Sequence, residues 1–200
     1  LYPKYIEWDK NIINYNPFNK YINYTNEIKD IKNALVIVGN VTNNNFIKEQ
    51  RIPILLDISY GNLYDISNHN IIEYGELFVE KYFNILINRV ETLIIYGDHI
   101  ISKNYKRLIK YFDFNIIWCT NNDLQIDEFR LSKKITNTTI YGTGIEIKDL
   151  ESIIINNNEI SKMYNNIFSA MTSEILFISN SSPIRDINKY VKWYKYDFPI

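Results

Sequence analysis

The sequence predicts an α/β protein with a Rossmann-like, mostly parallel, doubly wound sheet and helices on both faces. Three observations carry this prediction. Short apolar runs such as Ala34–Val38 and Thr92–Tyr96 show no polar alternation, which suits strands buried on both faces. Segments with apolar residues at helical spacing separate those runs. From Thr92 onward strands and helices alternate four times, the order that builds a parallel sheet.

The elements follow in order. Residues 1–33 are rich in Tyr, Asn and Lys, lack periodicity, and read as an irregular or partly helical N-terminal arm; residues 34–200 read as a single Rossmann-like domain. Ala34–Val38 is a strand stopped by Gly39-Asn40, and Pro53–Ile58 a second, stopped by Tyr60-Gly61-Asn62. Leu77, Phe78, Phe83, Leu86, Ile87 and Val90 recur at helical spacing from Tyr74 to about Arg89. Thr92–Tyr96 is a strand closed by Gly97-Asp98. Ser102–Phe112 is a helix with Tyr105, Leu108, Ile109 and Phe112 on one face and Lys103, Lys106, Arg107 and Lys110 on the other. Asn115–Cys119 is a strand, Leu124–Leu131 a short helix, and Thr138–Tyr141 a strand ending at Gly142. Helical pieces over Glu146–Ile155 and Glu159–Met171 precede a last strand, Glu174–Ser179.

Composition bounds the function without naming it. The chain holds 38 Ile and 28 Asn against two Ala and six Gly, the residue usage of an AT-rich genome, which makes a viral source plausible. With 46% hydrophobic and 22% charged residues the chain is globular. Its apolar runs are far shorter than the ~20 residues that span a bilayer, so a soluble, cytoplasmic protein is expected, in the host cytoplasm or virion if viral. A single cysteine, Cys119, excludes a disulfide framework and a cysteine-based zinc cluster. A net charge of -1 leaves only local patches for nucleic acid.

In doubly wound sheets ligands bind at the carboxyl ends of the strands, so the loops to inspect are Gly97-Asp98-His99, Thr120-Asn121-Asn122-Asp123, Gly142-Thr143-Gly144 and Asn180-Ser181-Ser182. None carries a nucleotide fingerprint, and Gly142-Thr143-Gly144 reads as a helix-opening turn. His69 and His99 have no partner at metal-ligand spacing, so no metal is expected. Asp57 reads as a turn-forming acid and Cys119 as a buried, inert thiol. Near the carboxyl terminus Arg185, Lys189, Lys192 and Trp193, followed by Tyr194, Lys195 and Tyr196, interleave cations with aromatics, a pattern that grips single-stranded RNA.

These elements resemble the poxvirus cap-specific mRNA 2'-O-methyltransferase and poly(A) polymerase small-subunit family over some 120 residues of the chain, from Gly75 on. Gly75-Glu76-Leu77-Phe78 resembles that family's helix opening, and the strand ending at Gly97 its S-adenosylmethionine loop. Ile116-Ile117-Trp118 resembles the strand leading to the ribose site, and Ile175–Ser179 the strand delivering a catalytic Asp. Lys192-Trp193, with Phe198-Pro199 behind, resembles the segment carrying a catalytic Lys. On this resemblance Gly97, Asp98, His99 and Asn121 would line the cofactor site. The departures are at the chemistry. Asn121 or Asn122 stands where a ribose-binding acid is expected, Asn180 where the catalytic Asp is, and Ile71 where the first catalytic Lys is. Methyl transfer to a hydroxyl needs its proton drawn off, which neither Asn nor Ile can do.

The resemblance therefore implies a catalytically degenerate methyltransferase-fold protein. It would be a stimulatory or RNA-binding subunit of viral mRNA cap methylation or polyadenylation, partnered by a polymerase, capping or polyadenylation subunit and possibly RNA, not a membrane. The cofactor would be none or S-adenosylmethionine. The alternatives are an active S-adenosylmethionine-dependent RNA methyltransferase, a glycosyltransferase-like enzyme using a nucleotide sugar, and a viral structural or host-interaction protein.

Overall fold

The computed structural model describes residues 27–40, 52–60, 70–97, 99–112, 115–119, 134–135, 139–148, 150, 158–171 and 182–193. Its strands are β1 (Glu27–Val38), β2 (Ile54–Leu56), β3 (Thr92–Tyr96), β4 (Asn115–Cys119), β5 (Lys134–Ile135) and β6 (Thr139–Gly144). Its helices are α1 (Gly75–Arg89), α2 (Lys103–Tyr111), α3 (Glu159–Ala170) and α4 (Ser182–Tyr190).

The strands run parallel in the order β2-β1-β3-β4-β5, with β6 also paired to β1. β1 carries most of this sheet. Along one edge its second half pairs with β3, Ala34 opposite Thr92 through Val38 opposite Tyr96. Its other edge is shared. The carbonyl of Ala34 accepts from Ile145, the amide of Val36 donates to Pro53, and the carbonyl of Val38 accepts from Asp57. Residues of one parity face one edge of a strand, so β6 and β2 lie end to end along the same side of β1.

Successive side chains of β1 point to opposite faces. Leu35 and Ile37 join Leu93, Ile95 and Trp118 under α1 and α2, whose contributions include Phe78, Val79, Leu86, Tyr105, Leu108 and Ile109. Ala34, Val36 and Val38 join Ile54, Leu56, Ile94, Ile117 and Cys119 on the opposite face, under Phe168 of α3 and Ile187 of α4, with Val191 and Trp193 beyond. The fold is therefore α/β, with a mostly parallel sheet covered on both faces, as predicted. The apolar runs lacked alternation because both of their faces are core.

The two helices beneath Leu35 open differently. α2 is capped by Ser102, whose hydroxyl accepts from the amide of Tyr105 at 3.1 Å. α1 opens at Tyr74 in a left-handed conformation without a side-chain cap. Gly75 follows because a Cβ there would collide with the Tyr105 hydroxyl of α2.

Four expectations change. The strand predicted from Ala34 begins at Glu27, so residues 27–33 of the predicted arm belong to the sheet. Asp30 and Asn33 take positive φ at two register shifts against β6; short Asx side chains tolerate that region, and the polar, irregular texture hid the strand. Gly142-Thr143-Gly144 does not open a helix but lies in β6, opposite Ile31 and Ala34. Side chains at the two glycines would collide with the Ile31 carbonyl and the Pro53 ring. Of Glu146–Ile155, the described residues 146–148 and 150 form a turn closed by Leu150 N–H donating to Ile147, not a helix. Finally α4 runs over Ser182–Tyr190, where the sequence predicts a cation–aromatic binding pattern and no helix. The predicted Leu124–Leu131 helix and Glu174–Ser179 strand lie outside the described residues.

Ile37 is fully buried near the carboxyl end of β1, the strand that holds the sheet together. Ile37→Ala is expected to lower unfolding stability by about 2–5 kcal/mol, measured by urea denaturation, and a loss well below that range would contradict this placement of the core.

Candidate functional site

The chain leaves β1 toward β2 on one side and returns to β3 on the other, so the topological switch point lies between the carboxyl ends of β1 and β3. There the two loops cross in direct contact. Gly39 N–H donates to the Tyr96 carbonyl at 2.8 Å, Asn40 N–H to His99 at 3.3 Å, and Gly97 N–H to Cys119 at 2.9 Å. Gly97 has φ 100°, and a Cβ on it would collide with the backbone of Asn40. A Cβ on Gly39 would meet the His99 carbonyl. The carbonyl of Gly97 in turn accepts from the Trp118 indole at 2.7 Å. The groups that could cradle a ligand here are spent on one another.

Beside this crossing lies a buried polar cluster. Asp57, at the end of β2, is fully buried and its carboxylate accepts four hydrogen bonds. One oxygen takes the Ser59 amide at 3.0 Å, the Ser59 hydroxyl at 2.6 Å and the Ile101 amide at 3.1 Å. The other takes the Ser102 amide at 2.7 Å. Asp57 is thus the turn-former expected, and also a tie between the β2 loop and the opening of α2. Buried charge is tolerated where amides surround it in this way. The single proton of the Ser59 hydroxyl is shared with the His99 carbonyl, which lies 2.9 Å from the hydroxyl oxygen.

Glu76, in the first turn of α1, is the second buried acid. Its carboxylate accepts from Asn104 of α2 at 2.6 Å. Burial raises its pKa above the ordinary carboxylate range, and the charge of Asp57 adds to this, while hydrogen bonds from Ser102 and Asn104 and the charge of Lys189 pull it back. Burial likewise pushes the Cys119 thiol up to about 12, with the neighbouring Tyr96 hydroxyl acting weakly in the other direction. Burial, with Cys119 beside it, also raises the pKa of Tyr96. Cys119 is therefore a protonated thiol, without nucleophilic character at neutral pH.

The residues singled out from the sequence are scattered. Gly97 is locked in the crossing, and the His99 side chain is exposed beyond it. Asp98, Asn121, Asn122, Asn180 and His69 lie outside the described residues. Ile71 lies beside β2, in an isolated bridge to Ile54. Lys192 pairs with Glu73 and lies over the Tyr74 ring, its Nζ 5.1 Å from the centroid. Lys189 pairs with Glu80 at 2.7 Å; burial alone would lower its pKa, but the Glu80 bond and charge outweigh this and raise it. Of the carboxy-terminal pattern, then, Arg185 is exposed, Lys189 ties α4 to α1, Lys192 beyond α4 pairs with Glu73 ahead of α1, and Trp193 is 2% exposed in the core. Trp193 offers no face for a base to stack on, which corrects its expected role. Spacing alone could not distinguish a helix face turned toward acids from one turned toward solvent.

Among the described residues, no group of three or more His, Cys, Asp or Glu is placed to hold a metal ion. For S-adenosylmethionine, the cofactor implied by the resemblance, the start of the Gly97 loop does not fit, since the Gly97 amide and the space beside that residue are taken. A shallow groove of about 680 Å³ lies elsewhere, between the first half of β1 and β6, lined by Lys29, Asp30, Lys32, Asn33, Tyr141 and Thr143 among others. No described helix is long and apolar enough to cross a membrane. No known family model matches the chain, and no characterised protein matches it in sequence.

Two substitutions test the polar cluster. Asp57→Ala strands the amides of Ile101 and Ser102, so a loss of about 3–5 kcal/mol in denaturant melts is expected, against under ~1 kcal/mol if the carboxylate were incidental. Glu76 binds its proton more readily folded than unfolded, so stability falls as pH rises from the ordinary carboxylate range through its raised folded value. Glu76→Gln keeps an acceptor for Asn104 and removes that fall. The Tm gap between variant and wild type should widen in the variant's favour with rising pH across that window.

Proposed function

We propose that the protein is a non-catalytic, methyltransferase-like α/β subunit that acts by binding RNA or a larger partner in viral mRNA cap methylation or polyadenylation. The observation that carries this reading is the closed crossing at the switch point, where Gly39, Asn40 and Gly97 give their amides to backbone carbonyls. Enzymes on doubly wound sheets place a cofactor or nucleotide in the crevice at this position. Here the loops touch instead.

The fate of the other residues supports the same reading. Lys192, the one match to a catalytic lysine, is engaged by Glu73. Ile71 stands where the resemblance places the first catalytic lysine and offers neither a charge nor a proton acceptor. Asp57, the most deeply buried acid of the cluster, is saturated by hydrogen bonds within the fold. A general base needs a free lone pair within reach of its substrate proton, and this carboxylate has spent its own on amides and a hydroxyl. The AT-rich residue usage supports the viral part of the reading.

Isothermal titration with S-adenosylmethionine and S-adenosylhomocysteine tests the proposal. No saturable heat is expected with either ligand up to millimolar concentration. Micromolar binding of either would sink the non-catalytic reading and favour an active methyltransferase.

A further inference from the structure

The outer face of α2 is unusual in a protein of net charge -1. Lys103, Lys106, Arg107 and Lys110 lie at i, i+3, i+4 and i+7, so they form one stripe, and the helix contains no acid to offset them. Like charges at this spacing work against a helix. Lys103, Arg107 and Lys110 are exposed, and the ion pairs formed by Lys189 and Lys192 lie elsewhere.

Aromatic rings stand among these cations. The Arg107 guanidinium lies over Phe83 of α1, 4.1 Å from the ring centroid. Phe83 meets Tyr111 edge-on at 6.1 Å, and Lys110 Nζ is 5.9 Å from the Tyr111 ring. Tyr111 is 55% exposed, a large ring left in water at the end of a basic stripe. Of the carboxy-terminal pattern expected to form such an arrangement, Trp193 is buried and Lys189 and Lys192 are paired with acids, whereas α2 presents cations and rings together on one face.

We propose that the outer face of α2 binds single-stranded nucleic acid, with phosphates on the exposed Lys103, Arg107 and Lys110 and a base against Tyr111. The proposal rests on the reading of the protein as an RNA-binding partner and names the surface. The stripe from Lys103 to Lys110 is about 10 Å long at 1.5 Å per residue, enough for a few consecutive phosphates. An exposed ring beside cations favours a single strand, whose bases are free to stack, over a duplex, whose bases are not. A lipid surface suits it poorly, because the apolar face of α2 that would enter the bilayer, Tyr105, Leu108 and Ile109, is already in the core.

The test is fluorescence anisotropy of labelled oligo-uridylate and oligo-thymidylate with the full chain over a range of salt; the two arms separate RNA from DNA. Wild type is expected to bind at least one, more weakly as salt rises. Arg107→Glu with Lys110→Glu should cost at least tenfold in affinity and flatten the salt dependence by one to two ions. Tyr111→Ala should cost roughly fivefold or more with the salt slope unchanged. Because Arg107 packs on Phe83, Lys103→Glu serves as the variant that leaves packing intact, and should also weaken binding and lower the slope. Wild-type affinity in all α2 variants, with loss instead in Lys29→Glu with Lys32→Glu at the β1–β6 groove, would overturn the assignment to α2 and leave the RNA reading standing. Equal competition by polyglutamate would overturn it in favour of an acidic protein partner. If wild type binds neither oligonucleotide, the RNA reading falls along with the proposal.

Discussion

Every described strand except β5 takes its position, directly or through one neighbour, from the backbone of β1. Its hydrogen bonds fix β3 along one edge and both β6 and β2 along the other. Both faces of its apolar half are core, so its side chains choose the faces that the helices must cover. The division of labour is sequential. Asp30 and Asn33 break the register where β6 pairs, and the regular stretch from Ala34 carries β2 and β3. A strand that serves three partners leaves little freedom at its carboxyl end, and the Gly39–Gly97 crossing follows from that.

The two buried acids show how charge is handled around this end of the sheet. Asp57 is surrounded by amides and a hydroxyl and acts as an anchor for the opening of α2. Glu76 has fewer donors, feels Asp57 as a like charge, and is the titratable weak point of the cluster. Together they join β2, α1 and α2 at one corner of the fold. Polar residues that would suggest chemistry in a list of sequence positions serve here to hold loops against strands.

Much of the fold was legible because its signals are local. Thr92–Tyr96 and Asn115–Cys119 are bounded as predicted, and α1, α2 and α3 fall within a residue or so of their apolar periodicity. The rest failed for physical reasons. Residues 27–33 have no apolar pattern, since their strand is fixed by backbone pairing with β6 and most of their side chains face water. The glycines of β6 resembled a turn because close approach and tight turning both call for glycine. α4 carried a readable sign in Ser182-Pro183 with Ile184, Ile187 and Val191 behind it, but the cations between them drew the reading toward binding. Of the candidate site, Asp57 and Cys119 were legible as turn-former and inert thiol. That Asp57 also reaches Ser102, and that Glu80 and Glu73 take Lys189 and Lys192, depends on contacts far apart in the chain that no spacing reveals.

The shared edge of β1 has a consequence for the protein as it is made. Its second half finds β2 within a short stretch of chain, but Glu27 pairs with Thr139, so the first half has no partner until most of the chain has emerged. During synthesis that half is an open strand edge, able in principle to pair with a neighbouring nascent chain. Lys29, Asp30, Lys32 and Asn33 are suited to that interval: charged or bulged, they make the edge a poor template for any strand but the one it awaits. The irregularity that hid this strand in the sequence is also what protects it while it waits.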